Sequence, residues 1–188
     1  MQDSDGVDQG DAIVVLGAGR FIRLVKRGRW EYAERINATG AAALVPVTDD
    51  GAILLVEQPR PALRGPVIEL PAGLVGDIPG QENEDMALAA GRELVEETGY
   101  EASAIEFMTR GPSSPGLSSE CLAIYLATGL RRVGPGGGVE GEQITVHEIA
   151  LSEADAWLAA RAAEGVQIDL KVYAGLYFAR QYLDARSS

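Results

Sequence analysis

The 188-residue chain predicts an α+β fold, and three observations carry that expectation. Short runs rich in Val, Ile, Leu and aromatic residues, broken by turn signals, fill the first 70 residues. A single stretch of helical periodicity comes next, from Glu84 to Thr98. Strand-like runs then return before a helical C-terminal part. With 46% hydrophobic and 23% charged residues the chain can build one sizeable core, so one domain with a short N-terminal appendage is expected.

In chain order, residues 1–11, "MQDSDGVDQGD", read as a disordered acidic tail without the apolar region of a signal peptide. "AIVVLGAGRFIRLVKRGRWEYAERI", "AAALVPV" and "AILLVEQ" read as strands, with "TDDG" at 48–51 as a hairpin turn in which Gly51 supplies the positive φ. In the central helix Ala87, Leu88, Ala90, Leu94 and Val95 recur at helical spacing, and Gly99 stands at the terminating position. Strands are expected at 103–109, 120–128 and 143–150, separated by the loops "TRGPSSPGLSSE" and "RRVGPGGGVEGE". Ser152 is placed to cap "EADAWLAARAAEG", with Asp155 at the capping-box position, and "LKVYAGLYFARQYLDAR" reads as a last amphipathic helix.

The formal net charge of -12 argues against nucleic acid or an anionic membrane as partner, because both reward clustered Lys and Arg. A phosphate-bearing ligand would need cations brought in as metal, or a few placed arginines. The one cysteine, Cys121, sits in the apolar run "CLAIYLATGL", so it reads as a buried structural thiol in a reducing compartment. No run approaches the ~20 apolar residues of a membrane span. A soluble cytoplasmic protein is expected.

The chemistry concentrates in "AAGRELVEETGY", residues 89–100. On a helix Glu93 and Glu97 stand about 40° apart around the axis and Glu96 lies beside them, where like charges repel by a few tenths of a kcal/mol per pair. Either this face is simply solvated, or the oxygen-only donor set holds Mg²⁺ or Mn²⁺. Arg92 can reach Glu96 at i+4 and restrain one of the acids.

The longer stretch "GLVGDIPGQENEDMALAAGRELVEETGY" resembles the Nudix box. Glu84 lies eight positions before Arg92, and Arg92, Glu93, Leu94, Glu96, Glu97, Gly99 and Tyr100 all fall in register. Ten residues separate Gly73 from Glu84 where the family has five, which reads as an insertion in the loop 75–83; loop length costs little closure entropy, so the helix can keep its register. The resemblance implies an α/β/α sandwich with a central mixed β-sheet flanked by helices. It also implies an N-terminal antiparallel β-segment over 12–38, serving dimerisation and base binding, ahead of a hydrolase domain over 39–188.

"VEQPRP", "VIELPAG" and "SSPGLSSE", whose Pro115 lies sixteen residues after Gly99, look like the ADP-ribose pyrophosphatase branch. That resemblance implies metal-dependent hydrolysis of a nucleoside diphosphate sugar, ADP-ribose to AMP and ribose 5-phosphate, by a homodimer. GDP-mannose or another diphosphate sugar is the alternative substrate. A non-catalytic nucleotide sensor is the alternative of another class, against which the intact R-E-x-x-E-E stands. Carried over by register, the Ala72 carbonyl with Glu93, Glu96 and Glu97 would hold Mg²⁺, with Mn²⁺ as substitute. Glu142, with Glu140 as metal partner or substitute, would be the base on a loop freed by Gly136 to Gly138 and Gly141; Glu120 is a third candidate. Trp30 would stack on the base, Glu31 accept from its amine, Arg35 meet the phosphates, Arg60 approach the pyrophosphate or terminal ribose, and Pro115 with Gly116 line the substrate site. From the residues alone, Trp30 is equally a strand residue covering a hydrophobic edge, Arg60 a surface arginine between prolines, and Glu140 and Glu142 solvated acids. His147, in "ITVHEIAL", reads as structural.

Overall fold

The computed structural model describes residues 12–76, 80, 84–139 and 141–186. The acidic tail read over 1–11 and most of the inserted loop lie outside them. Three antiparallel strands, β1 (Ile13–Ala18), β2 (Ile22–Arg27) and β3 (Trp30–Arg35), form an N-terminal sheet in the order β1-β2-β3. The body begins with β4 (Gly40–Pro46) and β5 (Ala52–Arg60), continues through β6 (Gly65–Glu69) and β7 (Ala72–Val75), and then enters α1 (Met86–Thr98). After it come β8 (Tyr100–Pro112), β9 (Cys121–Arg132), β10 (Thr145–Ala150), α2 (Ala154–Ala163), β11 (Gln167–Ile168) and α3 (Leu170–Arg186).

The class is the one expected, with the central sheet divided. Two four-stranded mixed sheets, ordered β7-β4-β9-β8 and β10-β5-β6-β11, take the place of one central sheet. Each contains a single parallel pair, β4 with β9 and β11 with β6. Alternation along the strands sorts the core. Ala42, Leu44, Ala123, Tyr125 and Ala127 face α1, where they meet Ala89, Ala90 and Leu94. Ala41, Ala43, Val45, Leu122, Ile124 and Leu126 face the other way, against Ile53, Leu55 and Ile68 of the second sheet and Leu158, Val172 and Leu176 of α2 and α3. Thus α1 closes one side of the sandwich and α2 with α3 the other.

Local chemistry explains most boundaries. Asp85, rather than a residue further upstream, caps α1: its carboxylate accepts from the N–H groups of Ala87 and Leu88 at 2.9 and 3.3 Å, so the helix starts two residues later than Glu84. The turn over 48–51 forms as read, with Gly51 at φ 85°. Ser152 does not cap α2; the cap position is Glu153, without a side-chain bond. Strand β11 was absent from the expected elements, since two residues leave no periodicity to see.

At the C-terminus of α1, Gly99 takes φ 76° and donates its N–H to the Val95 carbonyl at 2.9 Å. A Cβ built there would lie 2.3 Å from the Gly134 carbonyl oxygen. Left-handed backbone alone costs a side chain about 1–2 kcal/mol, and the backbone clash adds to it. Gly99→Ala is therefore expected to lower the unfolding free energy by at least that amount, read as a drop in the urea midpoint at unchanged m-value.

Candidate active site

A cleft of about 660 Å³ opens between the ends of the two mixed sheets, where the β6–β7 connection passes from one to the other. Glu93 and Glu97 of α1 reach it beside Ala72 and Gly73; Arg60, Glu69 and Glu142 line it as well. Gly73 has a steric reason to be glycine. A Cβ there would fall 2.0 Å from Cγ and 2.2 Å from Cδ of Glu93, so the glutamate occupies the space that any other residue would fill.

Glu97 is 6% exposed, and the N–H of Ala72 donates to its Oε2 at 3.0 Å. Burial pushes its carboxyl up to about 8; the charges of Glu93 and Glu142 push the same way, while the Ala72 N–H and Arg60 pull it down. Arg92 donates to both oxygens of Glu96 at 3.4 Å and lies 2.9 Å from Glu93, so it restrains two acids rather than one. Its Nε and Nη2 are buried without a hydrogen-bond partner. Glu96 faces Arg92 and lies outside the lining of the cleft.

Arg60 is gripped by Glu69 through two bonds, Nε to Oε1 at 2.5 Å and Nη2 to Oε2 at 2.8 Å. That hydrogen bonding, against the loss of hydration and with the charges of Glu69, Glu97 and Asp169, raises its pKa. Glu69 was missed as a site residue; its signal was an acid inside the apolar run "VIEL", which folds only with a partner. Arg35 lines the cleft and pairs with Glu120.

The glycines before Glu142 do something other than expected. Instead of loosening the loop, Gly137 and Gly138 donate their N–H groups to the carbonyls of Glu97 and Glu96 at 2.8 and 2.9 Å, and a Cβ on Gly136 would meet the Thr98 carbonyl carbon at 2.4 Å. The segment is a cap pressed onto the C-terminus of α1. After Gly138, Glu142 Oε2 accepts from the Val139 N–H at 3.0 Å. Glu140 lies outside the described residues.

Trp30, Glu31, Pro115 and Gly116 are brought together in a second pocket of about 470 Å³. The cause is the docking of β3 on the 113–120 loop, Ala33 donating to Leu117 at 2.8 Å and accepting from Ser119 at 3.1 Å. The two pockets share no lining residue. His147 stays away from both: its Nε2 lies 2.8 Å from Glu57, which Arg161 also holds, and its ring packs 4.9 Å from Trp157. A role in packing fits it.

A family model for the NUDIX domain matches residues 38–173, well over half of the chain. The chain belongs to the Nudix family. Among curated relatives it is 33% identical to a methanol dehydrogenase activator of Bacillus methanolicus over 73% of this chain and 75% of that protein. It is 36% identical to an ADP-ribose pyrophosphatase of Bacillus subtilis strain 168 over 68% of this chain and 66% of that one, just under two thirds of its length. A solved structure described as an ADP compounds hydrolase shares the fold with TM-score 0.69 at 21% identity, covering 93% of each chain.

Among the described residues no three His, Cys, Asp or Glu side chains stand gathered for a metal ion. The donor chemistry nevertheless fits a divalent cation: a glutamate kept protonated by burial, with two neighbouring carboxylates adding to it, is a group that a cation would ionise. In the metal-free protein the sign is fixed. Glu97 holds its proton in the folded state where the unfolded chain, at its ordinary 4.5, has lost it. Stability of the metal-free protein is thus expected to fall as pH rises from about 4.5 to about 8, and Glu97→Gln is expected to remove that slope in urea titrations across the range.

Proposed function

We propose that this Nudix protein hydrolyses the pyrophosphate bond of a nucleoside diphosphate sugar, most specifically ADP-ribose, giving AMP and ribose 5-phosphate. The observation that carries it is the grouping of Glu93, Glu97 and Glu142 in one cleft with Arg60 held ready by Glu69. Mg²⁺, with Mn²⁺ as substitute, held by Glu93, Glu97 and the Ala72 carbonyl with help from Glu142, would neutralise the pyrophosphate and acidify the attacking water. The protein's residues do the rest. Arg60 presents its remaining N–H groups to a phosphate oxygen, and its charge is secured by Glu69. Arg92 restrains Glu93 so that it enters the site in a fixed rotamer, and holds Glu96 outside the cleft. Glu142 takes the proton of the water as the new P–O bond forms and the anhydride P–O bond breaks. To reach that water its carboxylate would have to leave the Val139 N–H, which it accepts from at 3.0 Å.

Trp30, Glu31, Pro115 and Gly116 would hold the base, and the separation of their pocket from the acidic cleft favours a dimer in which each copy supplies the base pocket of the other, Arg35 standing between them. The apolar N-terminal sheet favours the same reading, since all six residues of β1 are exposed, as are Phe21, Ile22 and Leu24 of the neighbouring turn and strand. A single cysteine and the absence, among the described residues, of any helix long and apolar enough to cross a membrane are compatible with work in the cytoplasm.

Two experiments test this. Incubation with Mg²⁺ and a panel of ADP-ribose, GDP-mannose and dinucleoside polyphosphates, products separated by chromatography, is expected to show ADP-ribose turned over best; preference for GDP-mannose would move the substrate and keep the reaction. In the same assay Glu142→Gln is expected to lower kcat by ~10²–10⁴, and an unchanged kcat would transfer the base to Glu140 or Glu120.

The shared site has its own check. Trp30→Ala and Glu97→Gln proteins, each impaired alone, are expected to regain roughly a quarter of wild-type activity after subunit exchange, because half of the mixed population carries one intact composite site. No recovery, or a monomer by light scattering, would place the base within a single chain.

A further inference from the structure

The face of the second sheet that looks into the cleft carries more than Arg60 and Glu69. In-register pairing sets Gln58 opposite Val67 and Val67 opposite Gln167, so these three side chains form one row across β5, β6 and β11. In the antiparallel register Arg60 stands opposite Gly65 on one side of that row and Glu69 opposite Val56 on the other, while Asp169 follows directly after β11. All six line the cleft. Arg60 and Glu69 pair through two bonds, and Asp169 is close enough for its charge to act on Arg60. Asp169 forms a second ion pair with Lys171, and Gln58 and Gln167 line the cleft with them.

Backbone bonds hold this group rigid. The N–H of Asp169 donates to Ile68, its Oδ1 accepts from the Lys171 N–H at 2.9 Å, and its Oδ2 pairs with the Lys171 ammonium. The Gln167 amide donates to the Leu63 carbonyl at 3.3 Å, which leaves its carbonyl oxygen and second N–H for other partners.

We propose that Gln58, Gln167, Asp169 and Lys171 form the subsite for the sugar beyond the pyrophosphate and set specificity for it, a deepening that rests on the nucleotide-sugar reading above. Two amides, one carboxylate and one ammonium alternate donors and acceptors, as a polyol with adjacent hydroxyls requires, and Val67 and Leu63 supply an apolar floor for its C–H face. Other terminal groups fit worse. A further phosphate would meet the carboxylates of Glu69 and Asp169. A second base would find no aromatic ring, because no Phe, Tyr or Trp is among the described residues lining this cleft. Position agrees, since Glu97 and Asp169 both lie close enough for their charges to act on Arg60 and all three line one cleft.

The test is steady-state kinetics on the full chain with Mg²⁺ and ADP-ribose, comparing wild type with Gln167→Ala and Asp169→Asn, the asparagine keeping the backbone cap of α3. Each variant is expected to raise KM by ~3–10-fold, the loss of about one hydrogen bond, with kcat within about twofold. Inhibition by ribose 5-phosphate is expected to weaken by the same factor while inhibition by AMP stays as in wild type. Unchanged KM, or equal weakening of both products, overturns the subsite. Lys171→Gln, which leaves the Asp169 cap intact, gives the same reading should either first variant melt early in circular dichroism. Wild type that cleaves dinucleoside polyphosphates but no diphosphate sugar overturns the subsite and leaves the hydrolase; wild type that cleaves nothing overturns both.

Discussion

Everything in the cleft depends on a carboxylate that the fold buries. Glu97 is taken out of water with one backbone donor, and two more acids, Glu93 and Glu142, raise the cost of its charge. Such a group stays in place only if the helix carrying it cannot turn away. A shift of one residue along α1 would swing each carboxylate through roughly 100°. Both ends of the helix are therefore fixed. Asp85 satisfies the first N–H groups, and the segment 136–138 presses on the last turn, with the N–H groups of Gly137 and Gly138 on the carbonyls of Glu97 and Glu96. The last carbonyls of a helix would otherwise take their hydrogen bonds from water. Here Glu97 places its carboxyl in the cleft and, with Glu96, anchors the cap through its backbone.

The second sheet answers with positive charge supplied sparingly. Strand β5 runs buried from Ala52 to Val56 and then turns polar as it leaves the core. Gln58 and Arg60 thereby arrive at the cleft on the side that Val67 and Glu69 also face. In a chain of net charge -12 an unsupported arginine would be drawn to many acids. The two-bond grip of Glu69, itself 8% exposed, holds Arg60 in one orientation, and removal of Arg60 would leave a buried carboxylate without its cation.

The part of the site that rests on helix geometry was legible from the sequence. Arg92, Glu93, Glu96 and Glu97 share a helix and their spacing alone dictates their neighbours, while Gly99 as terminator is a local backbone requirement. Long-range pairing was not legible. Strand β11 has two residues and exists only because Gln167 and Ile168 find Val67 and Ile68 across the fold, so Asp169 and Lys171 gave no sign of reaching the cleft. The glycines of "GPGGGVEGE" read as hinges because close approach and freedom call for the same residue; only the packing against Thr98 tells them apart. Ser152 had the composition of a cap and lost to Glu153, since tertiary packing of α2 set where the helix began.

Geometry finally bears on the N-terminal sheet. Trp30 and Arg35 stand five positions apart on β3, roughly 16 Å of extended chain, and Arg35 alone of the two reaches the acidic cleft. A three-stranded sheet with one outer strand exposed along its whole length is held through the backbone of Ala33, the Arg35–Glu120 pair and the buried Val25, none of which covers β1. The sequence of β1, "IVVLGA", is nevertheless what a buried strand would carry, not what a solvated edge carries. The same covering that would make this strand sensible, a second copy laid against it, would also bring one chain's tryptophan to the other chain's carboxylates. In a two-fold pair built through β1, the stability of the sheet and the completeness of the proposed site would rest on the same contact.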